Sequence, residues 1–253
     1  MSAPVADGVP ILMYHQVSDT PHARFRKYTV TARAFAAQMK WLATNGYSTI
    51  DLPTLLARHR GGTPAEKRAV VITFDDGFRE CANVAGSIMA GHGFTGTFFL
   101  VAGLMGASSH WLTAERGIEF PLMSWDDARQ LERVGHRCES HSMTHPRLAE
   151  LSAAACGDEL ARARTMLENE LGHRVRYLAY PFGSENQQVR DIAADCGYDA
   201  ACTVAIGISC ASDDPYALPR VPVLGTDSLL DFASRIRTAY TVGDRLRRMI
   251  GVS

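Results

Sequence analysis

The chain has 253 residues, 46% of them hydrophobic, and its 26 lysines and arginines nearly balance its 27 aspartates and glutamates. This length is sufficient for one domain with a large core, and the balanced charge argues against nucleic-acid binding, which usually needs a basic excess. No stretch of 18 or more apolar residues is present, so we expect no membrane-spanning helix.

The N-terminus and the cysteines bear on the expected cellular compartment. Residues 1–10 lack a basic stretch followed by an apolar one, so we expect no signal peptide. The six cysteines form no C-x-x-C pair and are typical of reduced, mostly buried thiols, with disulfides as the alternative for an exported protein. These features favour the cytoplasm.

Strand-like and helix-like segments alternate along the chain. In the first half, apolar runs predict strands at 9–14, 69–74 and 95–101. Helices are predicted at 32–45, where Thr31 is the N-cap, and at 79–90. In the second half, strands are predicted at 136–139, 177–180, 199–204 and 218–223. Helices are predicted at 124–134, 151–171, 186–196, 227–238 with Asp227 as N-cap, and as a surface helix at 243–250.

This alternation indicates a mostly parallel sheet of the α/β class. About seven strand-helix units predict an irregular (β/α) barrel that forms a single domain over residues 1–253. In such barrels, active-site residues follow the C-terminal ends of the strands. Polar or otherwise unusual residues stand directly after four of the predicted strands, and we expect them to converge: His15, Asp75 with Asp76, His141, and Pro181 with Phe182.

Two adjacent acids follow the second of the predicted strands, 69–74, in the sequence TFDDG at 73–77. A turn with a helix cap is one interpretation, because Asp and Gly favour turns. Like charges side by side repel, however, and a nearby metal or arginine would relieve the repulsion. Asp75 and Asp76 can also point in different directions and so serve different purposes.

Two histidines lie four residues apart in HSMTHP at 141–146. They could be two surface histidines, but this spacing also allows both to face one metal. With Asp76 they form a three-ligand set that leaves positions open for water and substrate. His141, His145 and Asp76 together suit zinc, and cobalt, nickel or iron would also fit.

The ordered set TFDDG, HSMTH and YPFG, with the lead-in LMSWD at 122–126, resembles the polysaccharide deacetylase family, carbohydrate esterase family 4. The resemblance extends over roughly residues 9–223. It implies a metal-dependent hydrolase that removes the N-acetyl group from a sugar or glycoconjugate and releases acetate. It further implies that Asp75 is the general base, that Asp76, His141 and His145 hold one divalent metal, and that the backbone N–H of Phe182 stabilises the oxyanion.

The chain departs from the family pattern in its general acid, because no histidine follows His173. The segment PILMYHQV at 10–17 is similar to the start of a circularly permuted subgroup that includes poly-N-acetylglucosamine deacetylases. This resemblance implies that His15 is the acid; a structural histidine is the alternative. Asp213 or Asp214 could orient His15, or both could be loop residues only. In a closed barrel the first and last strands are neighbours, so a histidine on either could occupy the same place.

A second departure concerns the arginine that family members often carry before the proline of the third motif, where this chain has Tyr180. Arg220, after the start of the last predicted strand, is the best replacement, and Arg176 is the second choice. An arginine beside Asp75 would favour its charged form.

Segment 103–120, which contains Trp111, is interpreted either as a loop over the site that contacts sugar or as a solvated insertion. A cytoplasmic sugar conjugate with a lipid or nucleotide carrier is the expected substrate, and any membrane contact is expected to be peripheral. Two other functions stay open: hydrolysis of cyclic amides or other C–N bonds on the same fold, and non-catalytic sugar binding.

Overall fold

The computed structural model describes residues 8–61 and 68–249. Its strands, in chain order, are β1 (Ile11–Tyr14), β2 (Gln16–Val17), β3 (Thr29–Val30), β4 (Tyr47–Thr49), β5 (Arg68–Phe74), β6 (Thr97–Leu100), β7 (Arg137–Ser140), β8 (Tyr177–Ala179), β9 (Ala200–Ile206) and β10 (Leu218–Pro222). Its α-helices are α1 (Ala32–Thr44), α2 (Leu52–His59), α3 (Gly86–Ala90), α4 (His110–Arg116), α5 (Trp125–Arg133), α6 (Ala153–Leu171), α7 (Gln187–Asp195), α8 (Leu229–Thr238) and α9 (Val242–Met249).

Seven parallel strands close into a barrel. They follow one another in the order β1, β10, β9, β8, β7, β6 and β5, and β5 pairs again with β1. Leu12 of β1 is in register with Val221 on one side and with Ile72 on the other, so the first strand joins the two ends of the sheet. β4 pairs in parallel with the first half of β5, and β2 pairs with β3 outside the barrel. The predicted irregular barrel of about seven strands is confirmed.

Alternation along the strands produces two separate cores. Ile11, Val71 and Phe99 belong to a cluster inside the barrel, whereas their neighbours Leu12 and Ile72 pack in the layer beneath the helices. The same alternation continues past the strand ends. Residues that follow a strand at positions continuing its inward-facing series therefore meet at the mouth of the barrel.

Several predicted boundaries are confirmed, and one predicted cap is wrong. Thr31 caps α1 by accepting the N–H of Ala34. At α8, however, Ser228 rather than Asp227 is the N-cap, because Ser228 and Asp231 form a reciprocal capping box. Asp227 instead accepts hydrogen bonds from the Leu224 N–H and the Arg235 guanidinium.

The predicted helix at 79–90 is irregular. Its first part, Cys81–Ala85, is a π-helix, and regular α-helical geometry follows in α3. Single π-turns of this kind are rare and often occur near functional sites. At the C-terminus, the predicted surface helix corresponds to α9, and residue 250 lies outside the described residues.

The six cysteines form no disulfide among the described residues, and four are buried, as predicted for most of them: Cys81, Cys138, Cys156 and Cys202. Across residues 8–61 and 68–249, no helix has the length and apolar character that crossing a membrane requires.

Candidate active site

A cavity of about 400 Å³ opens at the C-terminal ends of the barrel strands. Residues following β1, β5, β7 and β8 contribute to its wall, in agreement with the predicted convergence. Its lining consists of Met13, His15, Phe25, Tyr28, Asp75, Asp76, Trp111, Leu112, Glu115, Arg116, His141, His145, Arg147, Tyr180, Phe182 and Val204.

The two adjacent acids leave β5 in different directions. Asp75 continues the strand, and its N–H donates to the carbonyl oxygen of Tyr14 at 2.9 Å. Asp76 has a positive φ of 72°, which is uncommon for a residue other than glycine. Gly77 follows with φ 67° and packs against Leu100. This turn separates the two carboxylates, although both are at least 95% buried.

Asp75 forms a buried, bidentate ion pair with Arg220. Nη1 of Arg220 lies 2.7 Å from Oδ1 of Asp75, and Nη2 lies 2.7 Å from Oδ2. Nη1 and Nε also donate to Thr73 Oγ1 and to the Thr203 carbonyl oxygen, so the fully buried guanidinium has acceptors on several sides. The register of β10 shifts between Leu218 and Arg220, and such bulges can re-aim a side chain. Arg220 therefore pairs with Asp75, whereas Arg176 pairs with Asp199 on the outside.

This pairing sets the charge on Asp75. Burial raises the pKa of the carboxyl, but the charge and hydrogen bonds of Arg220 outweigh burial, so the net pKa is lowered. Asp75 is therefore ionised over the whole neutral range. An ionised carboxylate at the floor of the cavity can accept a proton.

Asp76 lies against the two histidines. Its Oδ1 is 3.1 Å from Nε2 of His145 and 3.4 Å from Nε2 of His141. The ligand atoms of these three buried residues lie within 4.8 Å of one another, as atoms around one metal ion do. Nδ1 of His141 is 2.7 Å from the Ala179 carbonyl oxygen, so the proton on Nδ1 leaves Nε2 free to bind a metal.

The electrostatics of Asp76 and His145 favour the forms that bind metals. Burial raises the pKa of Asp76, but hydrogen bonds with His141 and His145 more than offset it and the net pKa is lowered. Burial lowers the pKa of His145, which favours neutral imidazole. A charged carboxylate and neutral imidazoles are the donors that a divalent metal requires. The three residues therefore fit a metal site.

Unusual backbone conformations are concentrated around the cavity. Five described residues other than glycine have positive φ, and four belong to the three motifs: Asp76, Ser142, His145 and Phe182. Such conformations cost about 1–3 kcal/mol each and persist where the surroundings enforce them. Ser142 helps to hold the backbone of His145 in this conformation, because its Oγ accepts the His145 N–H at 3.0 Å.

Phe182 lies in the short 3-10 helix Pro181–Gly183, where its φ is 58°. Its ring packs edge-on against His145 with the ring centres 4.5 Å apart. The guanidinium of Arg147 covers the Phe182 ring at 4.1 Å. The third motif thus packs directly on a residue of the candidate metal site, and its backbone borders the same cavity.

His15 follows β1 and lines the cavity close to both acids. Its ring packs on Tyr28 at 5.2 Å, and its carbonyl oxygen accepts the thiol of Cys81 at 3.1 Å. Of the two interpretations of Asp213 and Asp214, the structure favours loop residues over partners of this ring. Asp213 accepts from the Cys210 N–H. Asp214 caps Pro215–Ala217 through the Tyr216 N–H and also accepts from Arg190 of α7.

Segment 103–120 covers the site, so its interpretation as a solvated insertion is wrong. It contains α4, whose Trp111 stacks on the His145 ring at 4.1 Å with an angle of 17° between the planes. Leu112, Glu115 and Arg116 of the same helix also line the cavity. Phe25 and Tyr28 complete this wall, and sequence reasoning missed them because they lie between elements too short to show a pattern.

Comparisons with known proteins agree with this geometry. YxkH of Bacillus subtilis, whose name assigns it to the polysaccharide deacetylases, is 29% identical over 218 residues. The alignment covers 85% of this chain and 71% of YxkH. The poly-beta-1,6-N-acetyl-D-glucosamine N-deacetylase of Escherichia coli K12 is 25% identical over an alignment covering 92% of this chain, and the chain spans only 39% of that protein.

A solved structure shares the fold. The deacetylase PplD of Streptococcus pyogenes, determined in complex with acetate, aligns with a TM-score of 0.79 at 23% identity, covering 92% of this chain and 99% of PplD. The sequence pattern of the polysaccharide deacetylase family itself matches residues 62–201, more than half of the chain. The chain therefore belongs to the polysaccharide deacetylase family.

Proposed function

We propose that this protein is a metal-dependent carbohydrate N-deacetylase, which hydrolyses the N-acetyl group of an N-acetylated sugar or glycoconjugate and releases acetate. One observation carries the proposal. At the floor of a single cavity, one of two adjacent carboxylates is paired with a buried arginine and the other with two histidines. This arrangement supplies a base and a metal-binding set side by side.

The family and its members support the reaction. The Escherichia coli relative is named as an N-deacetylase of a polymer of N-acetylglucosamine. PplD, which shares the fold, is a deacetylase whose structure contains acetate, the product expected here. A cavity of about 400 Å³ with aromatic walls also suits a sugar.

We assign the metal to Asp76, His141 and His145, with zinc as the preferred ion and cobalt, nickel or iron(II) as alternatives. When bound, such a metal supplies Lewis-acid polarisation of the acetyl carbonyl and lowers the pKa of water. Trp111 and Phe182 pack on His145 from two sides and hold its ring in place.

The chain's own residues then divide the proton transfers. Asp75, held ionised by Arg220, accepts the proton of the attacking water. The backbone N–H of Phe182 donates to the oxygen that becomes negative in the tetrahedral intermediate. His15 delivers a proton to the departing amine nitrogen, so the C–N bond breaks to give the free amino sugar and acetate.

The test measures acetate release from a panel of N-acetylglucosamine oligomers, with and without a chelator. We expect release that the chelator abolishes and added zinc restores. Asp76→Asn should lose most of both metal binding and activity, whereas Asp126→Asn, an exposed acid in the first turn of α5, should retain both. Ring opening of cyclic amides without acetate release would instead support the alternative C–N hydrolase, and sugar binding with neither reaction would support a non-catalytic protein.

A further inference from the structure

The charges that line the cavity are compensated with one exception. Asp75 pairs with Arg220, and Asp76 lies against the two histidines. At the outer wall, Oε1 of Glu115 lies 2.8 Å from Nη2 of Arg147. Arg116 also lines the cavity, but among residues 8–61 and 68–249 it has no acidic partner within ion-pair distance.

Arg116 is fixed in place by groups that do not neutralise it. Its Nη1 donates to the Arg24 carbonyl oxygen at 3.3 Å, and Nη1 of Arg24 donates back to the Arg116 carbonyl oxygen at 2.8 Å. The guanidinium lies 5.2 Å from the Tyr28 ring centre and 5.9 Å from that of Phe25. Aromatic contacts of this kind hold a cation without cancelling its charge.

Further cations flank the two aromatic residues that Arg116 contacts. Arg24, Arg26 and Lys27 are exposed in the segment that supplies Phe25 and Tyr28 to the cavity wall. In the described part of the chain, no carboxylate forms an ion pair with any of these three side chains. We call Arg24, Arg26, Lys27 and Arg116 the basic rim. The whole chain has a net charge of −1, so this local excess makes the mouth of the cavity attractive to anions.

We propose that the basic rim recognises an anionic group, a phosphate or a carboxylate, carried by the N-acetylated sugar substrate, with Arg116 making the direct contact. The proposal rests on the proposed deacetylase function. A guanidinium offers two parallel N–H donors, which match the paired oxygens of both groups. Lys27 and the exposed arginines then act through their field rather than through defined contacts.

The position of α4 indicates where the anion lies on the substrate. Trp111, near the start of α4, stacks on His145, and Arg116 is its last residue. Five residues of helix separate the two by about 7.5 Å along the axis. The anionic group therefore belongs to a substituent or neighbouring unit on the side of the substrate away from the acetyl group.

A purely structural role for Arg116 must be separated from recognition. A cation in the last turn of a helix interacts favourably with the helix dipole, and Gly117 ends α4 directly after Arg116. Arg133 provides a matched control. It occupies the last turn of α5 and does not line the cavity; within the described part of the chain, its side chain hydrogen-bonds only Gln130, at 2.7 Å.

The experiment compares kcat/KM of the zinc-loaded protein on three soluble probes: an N-acetylglucosamine disaccharide, N-acetylglucosamine 6-phosphate, and a disaccharide of N-acetylglucosamine with glucuronate. We expect at least one anionic probe to be preferred by about tenfold or more, because hydrogen bonds to charged groups are strong. Arg116→Gln should abolish the preference through KM, Arg133→Gln should keep it, and added salt should weaken it. The preferred probe distinguishes phosphate from carboxylate.

Equal kcat/KM on neutral and anionic probes, or a preference that survives in Arg116→Gln, would overturn the proposal. So would Arg116-dependent binding to vesicles containing anionic lipid without any preference among the soluble probes, since the rim would then serve a membrane. Calorimetric titration with glucosamine 6-phosphate and with glucosamine measures anion binding independently of deacetylase activity. Arg116-dependent binding of glucosamine 6-phosphate without acetate release from any probe would support anion recognition by the basic rim and contradict the proposed deacetylase function.

Discussion

Two neighbouring carboxylates acquire different properties because each meets a different set of partners. Asp75 meets a guanidinium 145 positions away in the sequence, and Asp76 meets two imidazoles. The residues and the family resemblance together predicted the set around Asp76, and for Asp75 they predicted an arginine but left Arg220 and Arg176 as first and second choice. The sequence left open whether Asp213 and Asp214 orient His15 or are loop residues, because an aspartate in a loop gives no sequence signal for the group that it contacts. The predicted roles of these residues in catalysis stay predictions.

Removing the charge of Arg220 should move the acidic limb of the pH-rate profile. Asp75 acts as a base only when ionised, and Arg220 lowers its pKa. In Arg220→Met the pKa of Asp75 rises, so kcat/KM should begin to fall at a higher pH than in the wild type. The profile of kcat/KM against pH measures this shift.

Arg176→Met is the control, because Arg176 pairs with Asp199 away from the cavity and should leave the profile unchanged. Breaking a buried ion pair costs about 3–5 kcal/mol, so Arg220→Met needs a folding check by thermal melting. Arg220→Lys keeps the charge, so its acidic limb should lie between those of the wild type and Arg220→Met. Identical acidic limbs in all the variants would show that Arg220 does not tune Asp75.

At the scale of elements, short segments with special backbone geometry position the site. The long strands and helices were predicted because their apolar residues repeat with a clear period. β2, β3 and β4 have two or three residues each, which is too short for any period to appear. α2 and α4 were missed for a similar reason, although Asp51 and Pro53 do mark the start of α2. Because segment 20–30 falls among such elements, the aromatic wall and the basic rim were not foreseen.

Gly183 should be required at the end of the third motif. Its φ is 65°, and a Cβ at this position would collide with Cγ2 of Val204. Gly183→Ala should therefore displace the loop that carries Phe182, lowering both the free energy of unfolding and kcat. Gly172 ends α6 with φ 74° and has open space around it, so Gly172→Ala isolates the cost of the backbone conformation alone, about 1 kcal/mol.

Urea unfolding and acetate release in both variants give the comparison. We expect Gly183→Ala to be the less stable of the two by a clear margin and to be the only one that loses activity. Equal effects in the two variants would mean that contact with Val204 does not hold the motif in place.

At the scale of the molecule, closure of the barrel brings distant parts of the sequence together. β1 lies between β10 and β5, so His15, Asp75 and Arg220 meet at one end although they come from the beginning, the first third and the last part of the chain. The alternation of strands and helices predicts this fold, because parallel strands with helical crossovers and inward-facing apolar residues have few other solutions. The exact register does not follow from the alternation, since it depends on packing inside the barrel.

A buried acid inside the barrel should make the stability of the whole molecule depend on pH. Burial raises the pKa of Glu139 from 4.5 to about 7, although the Tyr177 and Arg176 N–H groups donate to its carboxylate. The folded state therefore binds this proton more tightly than the unfolded state, and the contribution is complete below about pH 4.5. As the pH rises through 7, the wild type should lose up to roughly 3 kcal/mol of stability from this group.

Glu139→Gln keeps an oxygen that can accept both N–H groups but does not titrate. The difference in unfolding free energy between this variant and the wild type should therefore grow in favour of the variant between pH 5 and pH 8. Glu170→Gln, a change at an exposed residue that pairs with Arg129, is the control and should show no such trend. A pH-independent difference for Glu139→Gln would contradict the assigned pKa.

The central claim is that Asp75 and Asp76, which are adjacent in sequence, have different roles: Asp75 is the general base and Asp76 is a metal ligand. Metal content and acetate release measured together on Asp75→Asn test this claim most directly, with Asp76→Asn beside it. We predict that Asp75→Asn binds one zinc ion per chain, as the wild type does, while turnover falls by about 10²- to 10⁴-fold. Turnover close to that of the wild type, or loss of the metal from Asp75→Asn, would contradict the account.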